Sequence, residues 1–329
     1  MPRRLPVRPA KIIGNMFVLL VVVVMGLIYY ANVFLIWGPQ AVQNLDSNKF
    51  KCKPRHSKFF ADDIKVLALL AIFHVFFYML VWSFIQAMTT DPGQVPVFWG
   101  FHLGDPENKR RRYCLMCNIF KPERCHHCSA CNRCVLNMDH HCPWINNCIG
   151  FWNRKFFILL LIYVLIITYF NIATMAYAFI ESIFWALDVY YYSKKANDDN
   201  IMKRNLIIQA AFIMNGTIAV LMTMFLRFHI KLALSNKTTI ENLEMKNKQY
   251  QSLYDIGGKR NWEQIFGINK VLWPFPVFCG SGKPLGDGIY WPTNRNEGKD
   301  PNSETAMRNS QTQQNRNMGG NSPQGTNKL

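Results

Sequence analysis

Apolar and polar positions along the chain fall into four long apolar runs separated by polar stretches. Residues 12–37, 64–87, 156–177 and 206–226 can each cross a hydrocarbon core of roughly 30 Å as a helix of about 20 residues. The pattern therefore predicts four transmembrane helices. A basic arm, MPRRLPVRPAK, precedes the first run in the manner of a secretory leader. That run is about twice as long as a leader's apolar core and has no small-x-small cleavage site, so it reads as a retained first span. The second run carries His74, the third Asn171 and the fourth Asn215. Polar side chains at membrane depth mark a pathway or hydrogen-bond between helices, and the second reading is favoured.

Breakers and composition shifts fix the remaining boundaries. Thr89-Thr90-Asp91-Pro92-Gly93 stops the second helix and turns the chain. Residues 228–267 mix polar and apolar positions with helix-forming stretches and read as folded. From residue 281 Asn, Gln, Gly, Ser and Thr dominate, a composition that buries too little surface to fold alone. The expected layout is a basic arm at 1–11, span 1 at 12–37, a lumenal loop at 38–63 and span 2 at 64–87. A cytosolic cysteine-rich domain follows at 88–155, with its core at 112–156. Span 3 at 156–177, a second lumenal loop at 178–205 and span 4 at 206–226 come next. A cytosolic C-terminal domain at 227–280 and a disordered tail at 281–329 complete the chain.

Charge refines this picture. The formal net charge is +17. An excess of that sign suits nucleic acid, an anionic membrane face or a phosphate-bearing substrate, and the apolar blocks favour the latter two. Arg3, Arg4, Arg8 and Lys11 precede span 1, Lys109 to Arg112 lie between spans 2 and 3, and Arg227, Lys231 and Lys237 follow span 4. With four spans these segments share one side, which the positive-inside rule makes cytosolic. Lys49, Lys51, Lys53, Arg55 and Lys58 in the first lumenal loop run against that rule.

The densest chemistry lies between spans 2 and 3. Residues 114–150 hold eight of the ten cysteines and four of the eight histidines. Cytosolic thiols stay reduced, and the spacings Cys114-x2-Cys117, Cys128-x2-Cys131 and Cys131-x2-Cys134 suit tetrahedral zinc. Zinc is therefore favoured over disulfides. Two closed sites use eight of the twelve candidate ligands, which are Cys114, Cys117, Cys125, His126, His127, Cys128, Cys131, Cys134, His140, His141, Cys142 and Cys148. Four remain. If Cys142 and His140 are among them, a thiol and an imidazole stand beside Asp139, the recipe for an activated nucleophile. Counting alone leaves a third, open zinc site or ligand redundancy equally admissible.

Asp139-His140-His141-Cys142, with Pro143, Trp144 and Asn147-Cys148-Ile149-Gly150, resembles the DHHC family of protein S-acyltransferases, or palmitoyltransferases. Lys121-Pro122-x-Arg124, Asn153 and Phe156 extend the resemblance. Asp91-Pro92-Gly93 is similar to the family's DPG motif, Thr238-Thr239-Ile240-Glu241 to its TTxE motif, and residues 254–267, centred on Asn261, to its C-terminal motif. The resemblance covers residues 12 to about 270 and implies an α-helical polytopic membrane protein. A cytosolic zinc-binding domain would sit between spans 2 and 3. One structural zinc is expected on Cys114, Cys117, His127 and Cys134, and a second on Cys128, Cys131, His141 and Cys148. Cys125 departs from the family, where a small residue such as serine is usual, and reads as inert.

The resemblance also implies the reaction. Cys142 would attack the thioester of palmitoyl-CoA, His140 would take the thiol proton, and Asp139 would orient the imidazole. The acyl group would then pass to a cysteine of a cytosolic or membrane-associated protein, a near-thermoneutral exchange of thioesters. Trp144 is expected to wall the acyl cavity or to anchor at the interface, and Ile167 to stop the chain. Arg110, Arg111, Arg112 and Arg133 would meet CoA phosphates or anionic lipid. Thr239 and Asn261 would dock the C-terminal segment, while Cys52 and Cys279 read as ordinary thiols. A Golgi location is a family-level expectation, with the endoplasmic reticulum and the plasma membrane as alternatives. A zinc-stabilised scaffold is the rival class, disfavoured because binding needs no unligated cysteine at 142. No nucleic-acid partner is expected, since the stretch lacks a recognition-helix pattern.

Overall fold

The computed structural model describes residues 9–39, 57–96, 99–100, 112–192, 199–244 and 252–294. The chain separates into two compact units. The first comprises Met1–Ile85, Pro143–Asn146 and Phe157–Phe228, and the second Gln86–Cys142, Asn147–Phe156 and His229–Leu329.

Helices α1 (Pro9–Tyr29), α2 (Ser57–Thr89), α3 (Arg154–Tyr192) and α4 (Asp199–Leu234) carry the four apolar runs. They are long and apolar enough to cross a membrane, over Lys11–Trp37, Lys65–Thr89, Arg154–Tyr191 and Asp199–Leu234. In hydrocarbon every backbone N–H and C=O must be paired within its own segment, which leaves helix as the form such runs adopt. The last two exceed the expected 156–177 and 206–226, because apolar content delimits the bilayer-depth portion and not the hydrogen-bonded helix. At 38 residues the third span is about 57 Å long. Most of the loop expected at 178–205 is therefore helix, with 193–198 outside the described residues.

In the first unit Ala31, Ile36, Met175, Ile208 and Ala211 form a buried cluster among spans 1, 3 and 4. Phe179 stacks on Phe212 at 4.2 Å beside it. The expected interhelical polar contacts are present and include a residue the sequence reading passed over, Asn32. Asn32 donates to Asn171, Asn171 donates to Asn215, and Trp37 Nε1 donates to Asn32 Oδ1 at 2.9 Å. The chain is π-helical over Tyr30–Trp37, and Asn32 lies on that wider turn. His74 pairs with the Tyr29 hydroxyl at 3.1 Å. Leu19, Val23, Val75, Ile213 and Val220 are exposed, as a lipid-facing surface requires.

The second unit is built on three short hairpins: β1 (Tyr113–Cys114) with β2 (Ile119–Phe120), β3 (His126–Cys128) with β4 (Arg133–Val135), and β5 (His140–Cys142) with β6 (Asn147–Ile149). Asn118 and Asn132 take positive φ, 53° and 54°, one residue before the returning strand. Asparagine tolerates this left-handed conformation better than most residues. Helices α5 (Thr239–Glu244) and α6 (Gly258–Phe266) follow. Packing continues past the boundary expected at 281. Ile289 and Trp291 lie against a cluster containing Cys114, Cys134, Leu136 and Phe151, and the Asn294 amide donates to the Leu253 carbonyl at 3.0 Å. A polar composition concealed these anchors because their partners are distant in sequence. Residues 295–329 of the expected tail, and Cys52, lie outside the described residues.

Candidate active site

Side chains alternate between the two faces of a strand, and this period organises the cysteine-rich stretch. On β3, His127 stands opposite Cys134, while the next residue, Cys128, points the other way. Neighbouring residues therefore serve different clusters. The structure gathers Cys114, Cys117, His127 and Cys134 into one tetrad and Cys128, Cys131, His141 and Cys148 into another. His127 Nδ1 lies 3.2 Å from Cys117 Sγ and 3.7 Å from Cys114 Sγ. In the second tetrad Cys131 Sγ is 3.5 Å from Cys148 Sγ and 3.5 Å from His141 Nδ1. Metal–ligand bonds of about 2.0–2.3 Å at tetrahedral angles require donor separations of about 3.3–3.8 Å. Both donor sets thus suit zinc. Cys125 is buried beside the first tetrad, and burial pushes its thiol up to about 12.

On β5 the same alternation separates the two histidines. His141 faces Cys148 across the hairpin, so His140 and Cys142 share the opposite face. The His140 ring hydrogen-bonds Cys142 and, through Nδ1, Asp139 Oδ2 at 2.7 Å. Burial opposes charge on this ring, but Asp139 and the Cys142 sulfur outweigh it and hold its pKa up at about 9. Asp139 itself is almost wholly buried, 1 % exposed. Burial alone would raise its pKa. The His140 hydrogen bond and nearby Arg154 instead hold it well below the carboxylate range.

A carboxylate this buried needs donors, and the TTxE segment supplies two. Thr239 donates its backbone N–H to Asp139 Oδ1 at 2.9 Å and its hydroxyl to Oδ2 at 2.8 Å. Glu241 holds that segment in turn. Its carboxylate accepts from Arg124 Nε at 2.6 Å, from Arg124 Nη2 at 2.9 Å and from the Thr238 N–H at 2.9 Å. Arg124 also donates to Asn236 Oδ1 and the Asn236 carbonyl, each at 2.9 Å. The guanidinium carbon lies 4.4 Å from the ring centroids of both Tyr254 and Trp291.

The remaining expected residues occupy distinct places. Asp91 accepts from the Gly93 N–H and from Arg133, which is therefore engaged by an aspartate. Gly93 takes φ +123°, and Gly150 lies so close to the Pro92 carbonyl that a Cβ would stand 2.7 Å away. Asn261 donates to the Leu234 carbonyl at 2.6 Å and to Asp255. Trp144 packs edge-on against Phe17 at 4.8 Å, and Ile167 is buried within span 3. Arg112 pairs with Glu123, Cys279 is exposed, and Arg110 and Arg111 lie outside the described residues. Two groups near Asp139 escaped the sequence reading. Arg154 Nη2 is 3.6 Å from Oδ1 and His229 Nδ1 is 3.8 Å from Oδ2. A histidine in the last turns of a membrane helix was the available signal, but residue 229 fell beyond the boundary drawn at 226.

Among the described residues, four helices long and apolar enough to cross a membrane, two zinc-type tetrads and a thiol–imidazole–carboxylate set define a membrane-bound acyl-transfer enzyme. The family model described as DHHC palmitoyltransferase matches residues 107–246. The chain is 33% identical over 282 residues to probable protein S-acyltransferase 12 of Arabidopsis thaliana, covering 82% of this chain and 88% of that protein. It is 34% identical over 291 residues to probable protein S-acyltransferase 14 of the same plant, covering 81% and 85%. Against palmitoyltransferase ZDHHC20 of Homo sapiens it is 30% identical over 293 residues, covering 79% and 74%. The chain belongs to the DHHC family of palmitoyltransferases.

Proposed function

We propose that this enzyme works through an acyl-cysteine intermediate on Cys142. The sulfur attacks the carbonyl carbon of palmitoyl-CoA, the thiol proton passes to His140, and the C–S bond to CoA breaks, returning that proton to the leaving thiolate. A target protein's cysteine then attacks the Cys142 thioester in the same manner, and the free enzyme thiol returns. Asp139 keeps the His140 ring turned toward the sulfur and supports its charge, in the way a buried aspartate serves a catalytic histidine. Cys114, Cys117, His127 and Cys134 would hold one structural zinc, and Cys128, Cys131, His141 and Cys148 the second. Closed four-ligand sites of this type supply folding energy.

The observation that carries the reading is the shared strand face of His140 and Cys142, with Asp139 bonded to the ring. The basic segments beside the spans support an active site on the cytosolic side. On that side CoA stays in water while an acyl chain gains about 0.8 kcal/mol per buried CH₂. The domain layout rests on the apolar runs, breakers and composition shifts, and a Golgi location on the resemblance; Trp144, two residues from Cys142, and Ile167, within span 3, would line an acyl cavity.

The test is incorporation of labelled palmitate from palmitoyl-CoA into purified protein, wild type beside Cys142→Ser, followed by neutral hydroxylamine. Label that hydroxylamine releases from wild type, and that is missing from a variant with unchanged zinc content, is the expected result. Equal labelling of both proteins would move the chemistry to another cysteine, with Cys125 and Cys279 next. No labelling of zinc-loaded, folded protein would return the scaffold reading.

A further inference from the structure

We infer that Asp139, His140 and His229 form a third metal-binding cluster, one that takes a divalent zinc ion and thereby turns the enzyme off. One donor atom from each residue lies within 4.8 Å of the others. Asp139 Oδ2 is 2.7 Å from His140 Nδ1 and 3.8 Å from His229 Nδ1. A tetrahedral zinc with bonds of about 2.0–2.2 Å requires donors about 3.3 Å apart, and the two distances bracket that value. Two imidazoles and one carboxylate, with a fourth position left to water, are a donor set that zinc accepts and that magnesium or calcium does not favour.

The surroundings bear on the charge. Arg154, a cation beside this carboxylate, stands 3.6 Å from Oδ1, the oxygen away from the two rings. The Thr239 N–H also engages Oδ1, while its hydroxyl donates to Oδ2 at 2.8 Å. An ion on Oδ2 therefore leaves the Arg154 and backbone contacts in place and meets an oxygen that still has lone-pair capacity. His229 belongs to neither tetrad and is buried at 4 % exposure, its ring 5.5 Å from that of His140.

The consequence follows from which atoms are taken. An ion bound to His140 Nδ1 sends the proton shared with Asp139 to solvent and replaces the carboxylate as that nitrogen's partner. With Nδ1 on the ion, the ring's remaining N–H is at Nε2, so the imidazole can no longer take the Cys142 proton. This inhibitory outcome rests on the acyl-cysteine reading above, whereas the metal count does not.

The experiment uses full-length purified protein with both tetrads loaded, at free Zn²⁺ set by metal buffers from nanomolar to micromolar. Palmitate incorporation and bound zinc are measured together. Wild type should lose activity as it gains one zinc per chain, and Mg²⁺ should do neither. His229→Gln should raise the half-inhibiting concentration about 100-fold or more, since loss of a direct ligand exceeds the cost of outer-shell changes. His229→Cys, which keeps a ligand, should remain sensitive. Each curve is read against that protein's own low-zinc rate. For a variant too slow to assay, the metal count decides. Insensitivity of wild type, activation by zinc, or equal sensitivity of wild type and His229→Gln would each overturn the inference. A wild type inactive at low free zinc would sink the acyl-cysteine reading, and the metal count would still judge the cluster on its own.

Discussion

Replacing Arg124 by methionine should be among the most damaging single changes outside the reacting groups. The arginine side chain is 1% exposed and its two bonds to Glu241 are 2.6 and 2.9 Å long. Methionine keeps much of the volume but leaves the Glu241 carboxylate buried beside the Thr238 N–H alone among these donors, and removes a donor from Asn236 Oδ1 and one from the Asn236 carbonyl, which keeps the Ser252 hydroxyl. Breaking a buried ion pair from one side costs about 3–5 kcal/mol. Stacking against Tyr254 and Trp291 places the loss at the upper end, since a desolvated cation–π contact contributes about 2 kcal/mol. Arg124 also holds φ at 60°, a left-handed conformation that costs a side-chain-bearing residue about 1–2 kcal/mol whichever side chain is present. Arg124→Met should therefore lose about 4–5 kcal/mol, read as a shift in the denaturation midpoint of detergent-purified protein. In a double-mutant cycle, Arg124→Met with Glu241→Leu should cost clearly less than the sum of the single changes, because no charge is stranded. A single-mutant cost below about 1 kcal/mol, or strict additivity in the cycle, would refute the claim that this pair anchors the segment bearing Thr239.

Three other outcomes are expected. Thr239→Val removes the hydroxyl bond to Asp139, and hydrogen bonds to charged groups contribute about 1.5–3 kcal/mol. Palmitate incorporation should fall about 10- to 150-fold, while Thr239→Ser should restore most of it; full activity in the valine variant would remove the residue from the site. Stripping metal from the tetrads with a strong chelator should unfold the three hairpins, seen as new protease cleavage between residues 112 and 150. Resistance to cleavage in verified metal-free protein would contradict that dependence. Burial opposes the Glu241 charge, but Arg124 overcomes it and holds the pKa below the ordinary 4.5. A carboxylate depressed in the folded state contributes stability above its unfolded pKa and loses it as pH falls through the folded value. Wild type should lose more stability than Glu241→Gln between pH 7 and pH 3, by denaturant titration at each pH, and parallel losses would exclude the linkage.

Much of the architecture was legible because its signals are local. Bilayer-length apolar runs, metal-type Cys-x2-Cys spacing and the Asp139-to-Cys142 tetrapeptide lie within short windows of sequence. What escaped is held by partners far apart. Arg124 and Glu241 are separated by 117 positions, and Thr239, expected to dock the C-terminal segment, meets a partner the sequence does not name, Asp139, 100 positions away. Trp291 sits in a stretch whose composition reads as unstructured, yet it covers Arg124. Asn32 carries the same polar-in-apolar signal as Asn171, but its contact depends on a π-helical turn that no pattern of period 3.6 anticipates. The helices outran their predicted ends because apolar content reports bilayer depth, whereas the helix stops where its backbone bonds stop.

The alternation along β5 makes the tetrapeptide a matter of parity. Residues 140–142 look to alternate sides of the strand: His141 toward the second zinc-type tetrad, His140 and Cys142 toward the face where the ring meets Asp139. Substitution at one position injures one task. Insertion of a single residue between His141 and Cys142 would keep all four side chains present and send the thiol to the metal-facing side, where a thiolate is a ligand and not a nucleophile. This stretch can therefore drift in composition at its edges far more readily than it can change in length.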